Sequence, residues 1–596
     1  MFERLAAAAL LLLIGWPAPA AQPVNQLARH PSPYLALHGS DPVAWQVWNA
    51  DTVARARREN KLLFVSVGYF ACHWCHVMQR ESYKNPAIAA RLNRDFIPVK
   101  VDRELNSGLD EALQDFSARL NGVAGWPLNA FVTPEGYPAF VVLYAPPADF
   151  TRLLTQLAAR WNDDAAGIRR LAQQAAPPPA APPAAVPATA QRTAQQWQRF
   201  LAGVWQEADE LHGGFGQVSK FPMAPQLHAL LERQARRPEP KLGAFLRLSF
   251  DQMAARGLRD HVGGGFFRYT VDPGWDTPHF EKMLYDNAHL AMLYLRAARV
   301  LDVPRYREVA RGALDFMLRD LKDASGGFYS STSAVDAAGR EGATYLWEPA
   351  ELRRHLSADA YAAASRVWRL DGARNFETGY LPAEYRPPTA AERRLLDTAA
   401  RVLLPLRQQR SLPRDDKMNA GLNGLALSAL SEAGALDPAY RAHADRLQRF
   451  LLTRLQRDGR LYKSMAGGKL LPGAELEDYA YVVQGLLDHA AATGNAVSRT
   501  QARRLAAVAW NTFASGEGWR HEAQPLLATL RAVPALADGA LYSPSEVLVL
   551  SGLRMDDAIA RRARTAAGWQ VPGMERDAYA YPTRLRVLEQ VAPAGG

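Results

Sequence analysis

Two kinds of hydrophobic pattern divide the chain: short apolar runs alternating with helical periodicity up to about residue 161, and helical periodicity alone from about residue 191. The run Leu62-Leu63-Phe64-Val65-Ser66-Val67-Gly68-Tyr69 is short and rich in branched and aromatic residues, which predicts a buried strand. Asn49 to Asn60, with few breakers, predicts a helix before it. His73 to Tyr83 has neither Gly nor Pro and predicts a helix after it, followed by a helical piece from Pro86 to Arg94. Phe96 to Asp102 predicts a second strand and Leu109 to Asn121 a further helix. Pro127 opens a strand within Gly125 to Gly136, Ala139 to Tyr144 gives another, and Asp149 to about Trp161 predicts a closing helix. The resulting order is β-α-β-α-β-β-α.

Residues 175–190 contain only Ala, Pro, Val and Thr, with six prolines between Pro177 and Pro187. Such a segment cannot build a core and favours extended polyproline II, so 173–190 is expected to be a linker between a first domain, 25–172, and a second, 191–596. In the second part, Gly213-Gly214-Phe215-Gly216, Gly263-Gly264-Gly265-Phe266-Phe267 and Gly326-Gly327-Phe328-Tyr329 each close a long amphipathic segment, with weaker echoes at Gly459-Arg460-Leu461-Tyr462 and Gly516-Glu517-Gly518-Trp519. Segments such as His289 to Leu301, Tyr306 to Leu321, Tyr440 to Leu455 and Tyr479 to Ala492 carry apolar residues at helical spacing. One helical hairpin per repeat predicts a closed toroid or a solenoid.

A chain of 596 residues is long enough for more than one domain. It begins Met1-Phe2-Glu3-Arg4, continues with an apolar run from Leu5 to Ile14, and reaches the small-x-small pattern Ala18-Pro19-Ala20. That run is too short to span a bilayer, so residues 1–20 are expected to be a secretory signal, with an uncleaved anchor as the lesser alternative, and the mature protein periplasmic or secreted, with no membrane insertion after cleavage. The net charge of +10 comes from 70 basic and 60 acidic residues. Arginines such as Arg55, Arg57 and Arg58, or Arg233, Arg236 and Arg237, lie along helices without interleaved aromatic residues, which fits solvated faces and excludes nucleic acid as the expected partner.

The two cysteines of the chain both lie in Cys72-His73-Trp74-Cys75-His76. A strand, then a turn, then a helix beginning beside Cys72 would place its thiol against helix N-terminal amides, which favour ionisation relative to a free cysteine of pKa ~8.5. Cys72 is then the nucleophile and Cys75, one turn along, resolves the mixed disulfide, with protein thiols or a redox partner protein on the other side. An exported protein meets an oxidising compartment in which such a pair is cycled by partners. Three other chemistries share the spelling: haem attachment through C-x-x-C-H with His76 on the iron, a zinc site from both cysteines and both histidines, and an inert structural disulfide. The preceding strand places the motif differently from a cytochrome helix and a second C-x-x-C is missing, so thiol exchange with no cofactor is the expectation.

With C-x-x-C after the first strand and Pro127 opening a later one, the element order resembles the thioredoxin fold. The resemblance implies that Pro127 is cis and faces the cysteines, and that Trp126, together with His73 and Trp74, touches an extended substrate peptide; a trans proline at a strand start is the alternative.

In the second part, Asp260 to Tyr269 and Trp275 to Asn287 concentrate His, acidic, basic and aromatic residues beyond what a solvated loop requires. Paired carboxylates with aromatic rings serve sugar chemistry, which nominates His261, Arg268, His279, Glu281, Lys282 and Asp286 as a carbohydrate site. Asp416 joins them from Arg414-Asp415-Asp416-Lys417, as do Glu477 and Asp478 from Glu475-Leu476-Glu477-Asp478-Tyr479. The alternative is a set of buried ion pairs and helix caps that hold the helices together.

Taken together, the chain resembles the spermatogenesis-associated thioredoxin-domain proteins. The matching stretches are Asn25 to Trp48, Cys72 to Met78, Lys100-Val101-Asp102-Arg103-Glu104, Gly125-Trp126-Pro127, Lys220-Phe221-Pro222, Gly263 to Tyr269, Pro278 to Asn287, Asp415-Asp416-Lys417, Asn423-Gly424 and Leu476 to Tyr479. The resemblance implies a multidomain chain, an α/β thioredoxin-like domain followed by an all-α (α/α)6 toroid of the six-hairpin glycosidase type. Family members without export signals carry the same Cys-His-Trp-Cys-His stretch, where haem attachment is unavailable. This chain departs from the family at Ser331 to Asp336 in place of an acidic tract, at Leu422 in place of tryptophan, and at Val141 to Tyr144 in place of a Gly-rich stretch; these positions are expected to line the barrel mouth or the interdomain face. Thiol–disulfide exchange is therefore expected first, a carbohydrate-processing barrel second, and a non-enzymatic platform presenting client proteins third.

Overall fold

Strands β1 (Leu63–Gly68) and β2 (Ile97–Asp102) are buried along their whole length; β1 accordingly reads as a nearly continuous apolar run, whereas β2 carries Lys100 and Asp102 buried among its valines. They pair in parallel, Leu63 beside Ile97 and Gly68 beside Asp102. β3 (Leu128–Val132) lies antiparallel on the other side of β1 and β4 (Pro138–Val142) antiparallel outside it, giving the order β2-β1-β3-β4. The computed structural model describes residues 24–177, 182–374, 376–556 and 558–592, so the expected signal at 1–20 lies outside the described residues.

Helices α1 (Ala50–Glu59), α2 (His73–Met78), α3 (Pro86–Asp95), α4 (Ser107–Asn121) and α5 (Pro147–Ala175) surround this sheet. Their starts are set locally: the Asn49 side chain accepts from Thr52 N–H, and Asn85 accepts from Ala87 N–H ahead of Pro86 at the first turn. α2 continues as a π turn through Tyr83, and α5 breaks at Asp164, whose backbone leaves the helical region. The Trp126–Pro127 peptide bond is cis.

The rest of the chain is helix-rich. Six pairs follow one another: α6 (Ala190–Glu207) and α7 (Ala224–Arg236), α8 (Pro240–Ala255) and α9 (Leu284–Val300), α10 (Tyr306–Phe316) and α11 (Ala420–Gly434), α12 (Pro438–Arg454) and α13 (Leu476–Thr493), α14 (Ala496–Phe513) and α15 (Pro544–Leu553), α16 (Ala558–Ala567) and α17 (Pro582–Val591). The second member of each pair packs against that of the next, and α17 packs back on α7, so these six close a ring with the others outside it. Sequence sorts the two layers. α9 and α11 are buried on nearly every side, whereas α10 buries one stripe, Tyr306, Val309, Ala310, Ala313 and Leu314, as an outer helix must. Residues 349–408 insert three more helices between α10 and α11.

The second and third Gly-aromatic turns are held the same way. In the second, Asp260 N–H donates to the Gly265 carbonyl at 3.0 Å while its carboxylate accepts from Val262 and Gly263 N–H. Gly264 and Gly265 have φ of 71° and 76°, a region that excludes most side chains. Asn287 on α9 then clamps Phe266, accepting from its N–H at 2.8 Å and donating to its carbonyl at 3.1 Å, and Asn423 on α11 does the same for Phe328.

The proline-rich segment is tied down at its far end. Val186 N–H donates to the Gly568 carbonyl at 2.7 Å and Gln570 N–H to the Ala184 carbonyl at 2.8 Å, so residues 184–186 lie along the helical part instead of spanning free between domains. Among the described residues no helix is long and apolar enough to cross a membrane.

Inside the ring, His289 on α9 is fully buried, both ring nitrogens lack a hydrogen-bond partner, and the Tyr542 ring stands edge-on at 4.6 Å. Burial, with help from Arg296, pushes its pKa down to about 3. The unfolded chain takes up this proton below its ordinary pKa near 6.5 while the folded one does not until about 3, so stability is lost as pH falls through that window. His289→Phe is expected to match the parent at pH 7 and to gain on it by about 1.4 kcal/mol per pH unit below 6.5, read from urea midpoints at neutral and acidic pH.

Candidate active site

β1 ends at Gly68, and the turn through Tyr69, Phe70 and Ala71 presents Cys72 as the N-cap of α2, where its Sγ accepts from Cys75 N–H at 3.1 Å. The two cysteines form a disulfide with a Cα–Cα separation of 5.3 Å. The first-turn amides that surround Cys72 favour negative charge on that sulfur once the bond is reduced. A side chain at Gly68 would collide with the Tyr34 hydroxyl and come within 2.8 Å of Cys75 Sγ. Gly68→Ala is therefore expected to cost about 1–3 kcal/mol and to push Cys75 out of register, visible as a lower unfolding midpoint and slower re-formation of the disulfide. His76, its pKa pushed down to about 4 by burial, is engaged through Nε2 with the Phe70 carbonyl at 2.8 Å.

The N-terminal domain is seated on the helical ring with this turn at the junction. Cys72 and Cys75 are 3 % and 1 % exposed, while Trp74 between them is 41 % exposed and packs on Tyr144 at 5.1 Å. Tyr69 donates its hydroxyl proton to Glu281 at 2.6 Å and accepts from Arg268, which pairs with the same carboxylate at 3.5 Å. The Arg103 guanidinium lies 4.4 Å from the centre of the Trp126 ring and 4.9 Å from that of Tyr69, and Arg268 lies 4.9 Å from both. Trp126 donates from Nε1 to Asp110 on α4 at 2.8 Å, which fixes the residue before the cis bond. On the other flank, Glu341 is hydrogen-bonded to His279 Nδ1 at 2.5 Å and lies 3.2 Å from His73 Nδ1, the two imidazoles stacked at 5.5 Å. Ala334 N–H donates to the Ala71 carbonyl at 3.3 Å, one residue before Cys72.

Charge at the junction follows from burial and these pairs. Burial would lower His279, but Glu341 outweighs it and raises the pKa, whereas at His73 burial wins and lowers it. Asp286 is pushed up to about 7 by burial against the pull of Arg268 and Arg103, and its Oδ2 has no hydrogen-bond partner.

Two buried lysines lock the domains. Lys417 lies 3.0 Å from Asp102 and 3.2 Å from Glu104 of the N-terminal domain and also pairs with Asp415 of its own. Lys463 lies 3.0 Å from Glu475, 3.0 Å from Glu477 and 3.1 Å from Asp478, and Glu475 in turn accepts from Ser107 N–H at the start of α4. Between α4, the Trp126 loop and the mouth of the ring is a cavity of about 410 Å³, lined among others by Glu104, Asp110, Tyr285, Leu422, Tyr481 and Tyr542.

The nominated carbohydrate residues do not meet in one pocket. Glu281, Arg268 and His279 face the cysteine turn, but His261 turns away to Glu384 at 3.4 Å and Lys282 is buried against Asp260 at 3.0 Å and the Gly264 carbonyl at 2.6 Å. Asp416 is exposed and takes no part in the lysine network; its neighbour Asp415 does. Glu477 lines the cavity, while Asp478 caps α13 by accepting from Glu475 N–H at 2.9 Å. Of the departures, Leu422 lines the cavity, Ala334 lies on the domain junction, and Tyr144 covers Trp74.

The family profile described as "Thioredox_DsbH: Protein of unknown function, DUF255" matches residues 24–177. Spermatogenesis-associated protein 20 of Homo sapiens is 31 % identical over 529 residues, which are 78 % of this chain and 67 % of the human one. The chain belongs to the spermatogenesis-associated protein 20 family. An uncharacterized protein of Caenorhabditis elegans is 28 % identical over 550 residues, 83 % of this chain and 75 % of its own length. Among solved structures, a D-mannose isomerase superposes with a TM-score of 0.43 at 8 % identity, over 68 % of this chain and 97 % of that one.

In this member of the spermatogenesis-associated protein 20 family the residues that sequence reasoning leaves out are Tyr69, Arg103, Glu341, Lys417 and Lys463, which join the domains, and Asp110, which holds Trp126. Lys100 to Glu104 and Asp415 to Lys417 were visible as stretches matching the spermatogenesis-associated family. Glu341 carried no signal, standing between Arg340 and Gly342 in a polar loop.

Proposed function

We propose that the N-terminal unit is a thioredoxin-like domain held on the mouth of an (α/α)6 toroid, and that Cys72 and Cys75 carry out thiol–disulfide exchange in an exported protein. The observation that carries this is the Cys72 sulfur at the N-terminus of α2, accepting the Cys75 N–H at 3.1 Å and bonded to Cys75. From the oxidised state, a client thiolate attacks Cys72 Sγ, forming a mixed disulfide and expelling the Cys75 thiolate. A second client thiolate attacks the client sulfur of that bond, expelling the Cys72 thiolate; the client leaves oxidised and the pair has gained two electrons. The reverse sequence reduces a client disulfide, with Cys72 attacking and Cys75 resolving. With Cys72 3 % exposed, a client reaches it when the loop bearing Ala334 and Glu341 withdraws from the turn. The test is equilibration of the full chain in glutathione buffers of graded potential, with native thiols counted after trapping. A reversible two-electron transition supports the proposal, and a pair that reduces only after unfolding refutes it.

A second proposal concerns the toroid. The cavity at its mouth combines carboxylates with the rings of Trp126, Tyr285, Tyr481 and Tyr542, a composition suited to a small polyhydroxylated ligand such as a carbohydrate. Calorimetric titration with mono- and disaccharides tests it, and the absence of any heat of binding counts against it.

A further inference from the structure

We propose that this cavity binds a small organic cation, a compound carrying a primary ammonium group, rather than a neutral sugar. The proposal rests on the second one above only in treating the cavity as a ligand site. The lining carboxylates are Glu104, Asp110, Glu111, Asp115, Glu477 and Asp538, against Arg103 as the lining guanidinium and His521 as the lining imidazole. Nor do the lysines behind the wall restore balance, because each is outnumbered. Lys417 is shared by Asp102, Glu104 and Asp415, and Lys463 by Glu475, Glu477 and Asp478. Arg103 is already engaged with the faces of Trp126 and Tyr69 and donates to the Tyr285 hydroxyl at 3.2 Å.

A second observation, independent of the charge count, points the same way. Glu104 and Asn419, 7 % and 2 % exposed, both line the cavity, and neither Glu104 Oε1 nor Asn419 Oδ1 has a hydrogen-bond donor. A buried acceptor left without a donor costs about 1–3 kcal/mol, so the wall is short of N–H or O–H groups as well as of positive charge. An ammonium group supplies three donors and a full charge at once. A sugar hydroxyl supplies the donor but leaves the carboxylate surplus standing. Acidity follows the same crowding: the Glu111 pKa is raised by desolvation in the cavity wall, although half of its side chain stays exposed, and Glu477, Asp110 and Asp115 push it further in that direction against His521. The rings of Tyr285, Tyr481 and Tyr542 also line the cavity, beside Trp126, whose face Arg103 and Arg268 already occupy, and aromatic faces attract cations.

The experiment uses the full chain and probes that separate charge from shape. D-glucosamine and D-glucose differ at one position, an ammonium in place of a hydroxyl, and 1,4-diaminobutane carries ammonium groups with no sugar ring. Calorimetric titration is expected to show saturable binding of D-glucosamine and 1,4-diaminobutane with none for D-glucose, and Glu111→Gln is expected to weaken it about tenfold. Glu111 Oε2 lies 3.5 Å from His521 and its side chain is 49 % exposed, so the substitution leaves the fold and the cysteine pair intact; an unchanged thiol–disulfide transition in the same variant confirms that. Equal binding of D-glucose and D-glucosamine would overturn the ammonium assignment while the carbohydrate proposal stood. Failure of both ammonium probes to bind, or an affinity that Glu111→Gln leaves unchanged, would also overturn it.

Discussion

Replacing Cys72 with serine is expected to abolish catalysis of thiol–disulfide exchange, with a fall of more than about a hundredfold relative to the parent, because the attacking sulfur sits alone at the N-cap of α2. Cys75→Ser has a different expected result. Its sulfur is 1 % exposed and lies one turn inside the helix, so its loss leaves Cys72 able to attack but unable to be released. Mixed disulfides with small thiols are then expected to accumulate on Cys72, countable by mass spectrometry of the intact chain. If Cys72→Ser kept exchange activity, or if Cys75→Ser alone were inactive toward attack, the roles assigned to the two sulfurs would be wrong.

The second large effect is at Lys417. Its ammonium is fully buried, and although burial works against the charge, Asp102, Asp415 and Glu104 outweigh it and hold the pKa well above the usual lysine range. Lys417→Met keeps the length of the side chain but leaves carboxylates from both domains facing one another in a dry junction. Breaking a buried pair from one side costs about 3–5 kcal/mol, and here one lysine serves three acids. A fall in unfolding free energy of at least that size is expected from guanidinium denaturation, together with faster proteolysis at the domain junction. Adding Asp102→Asn to Lys417→Met should recover part of the loss, a coupling that a double-mutant cycle isolates. Additive losses would show that Lys417 does not join the domains.

The elements nearest the cysteines were legible because local rules decide them. β1 is buried on both faces and reads as an apolar run, β2 is marked by Ile97, Val99 and Val101, and α2 follows from a stretch free of Gly and Pro behind a residue able to cap. The inner helices α9 and α11 carry too little amphipathic contrast for periodicity to show which side faces what. Periodicity also left toroid and solenoid equal, since the ring is closed by α17 meeting α7, a contact between distant segments that no local pattern announces. The inserted residues 349–408 further break the spacing of the Gly-aromatic turns.

At the site, the sequence nominates Asp416, but it is its neighbour Asp415 that is buried. Arg414–Asp415 forms a short strand against Ser331–Thr332, and alternation along it turns Asp415 inward and Asp416 to solvent, a rule that applies only once the strand is known. His261 was grouped with His279, Glu281 and Asp286 by nearness in sequence, but the Gly-aromatic turn between them reverses the chain and sends His261 to Glu384. The proline-rich segment was read from composition as a spacer. Its Val186 N–H nevertheless finds the Gly568 carbonyl, because a non-proline residue in an extended segment still offers a donor.

The most direct measurement is the ionisation of Cys72 in the reduced chain, followed by thiolate absorbance against pH and checked in Cys75→Ser. If α2 activates that sulfur, the thiolate forms well below the ~8.5 of a free cysteine and the rate of alkylation follows the same curve. A thiol that ionises at or above that value, or that stays unreactive until the protein unfolds, contradicts exchange at this disulfide.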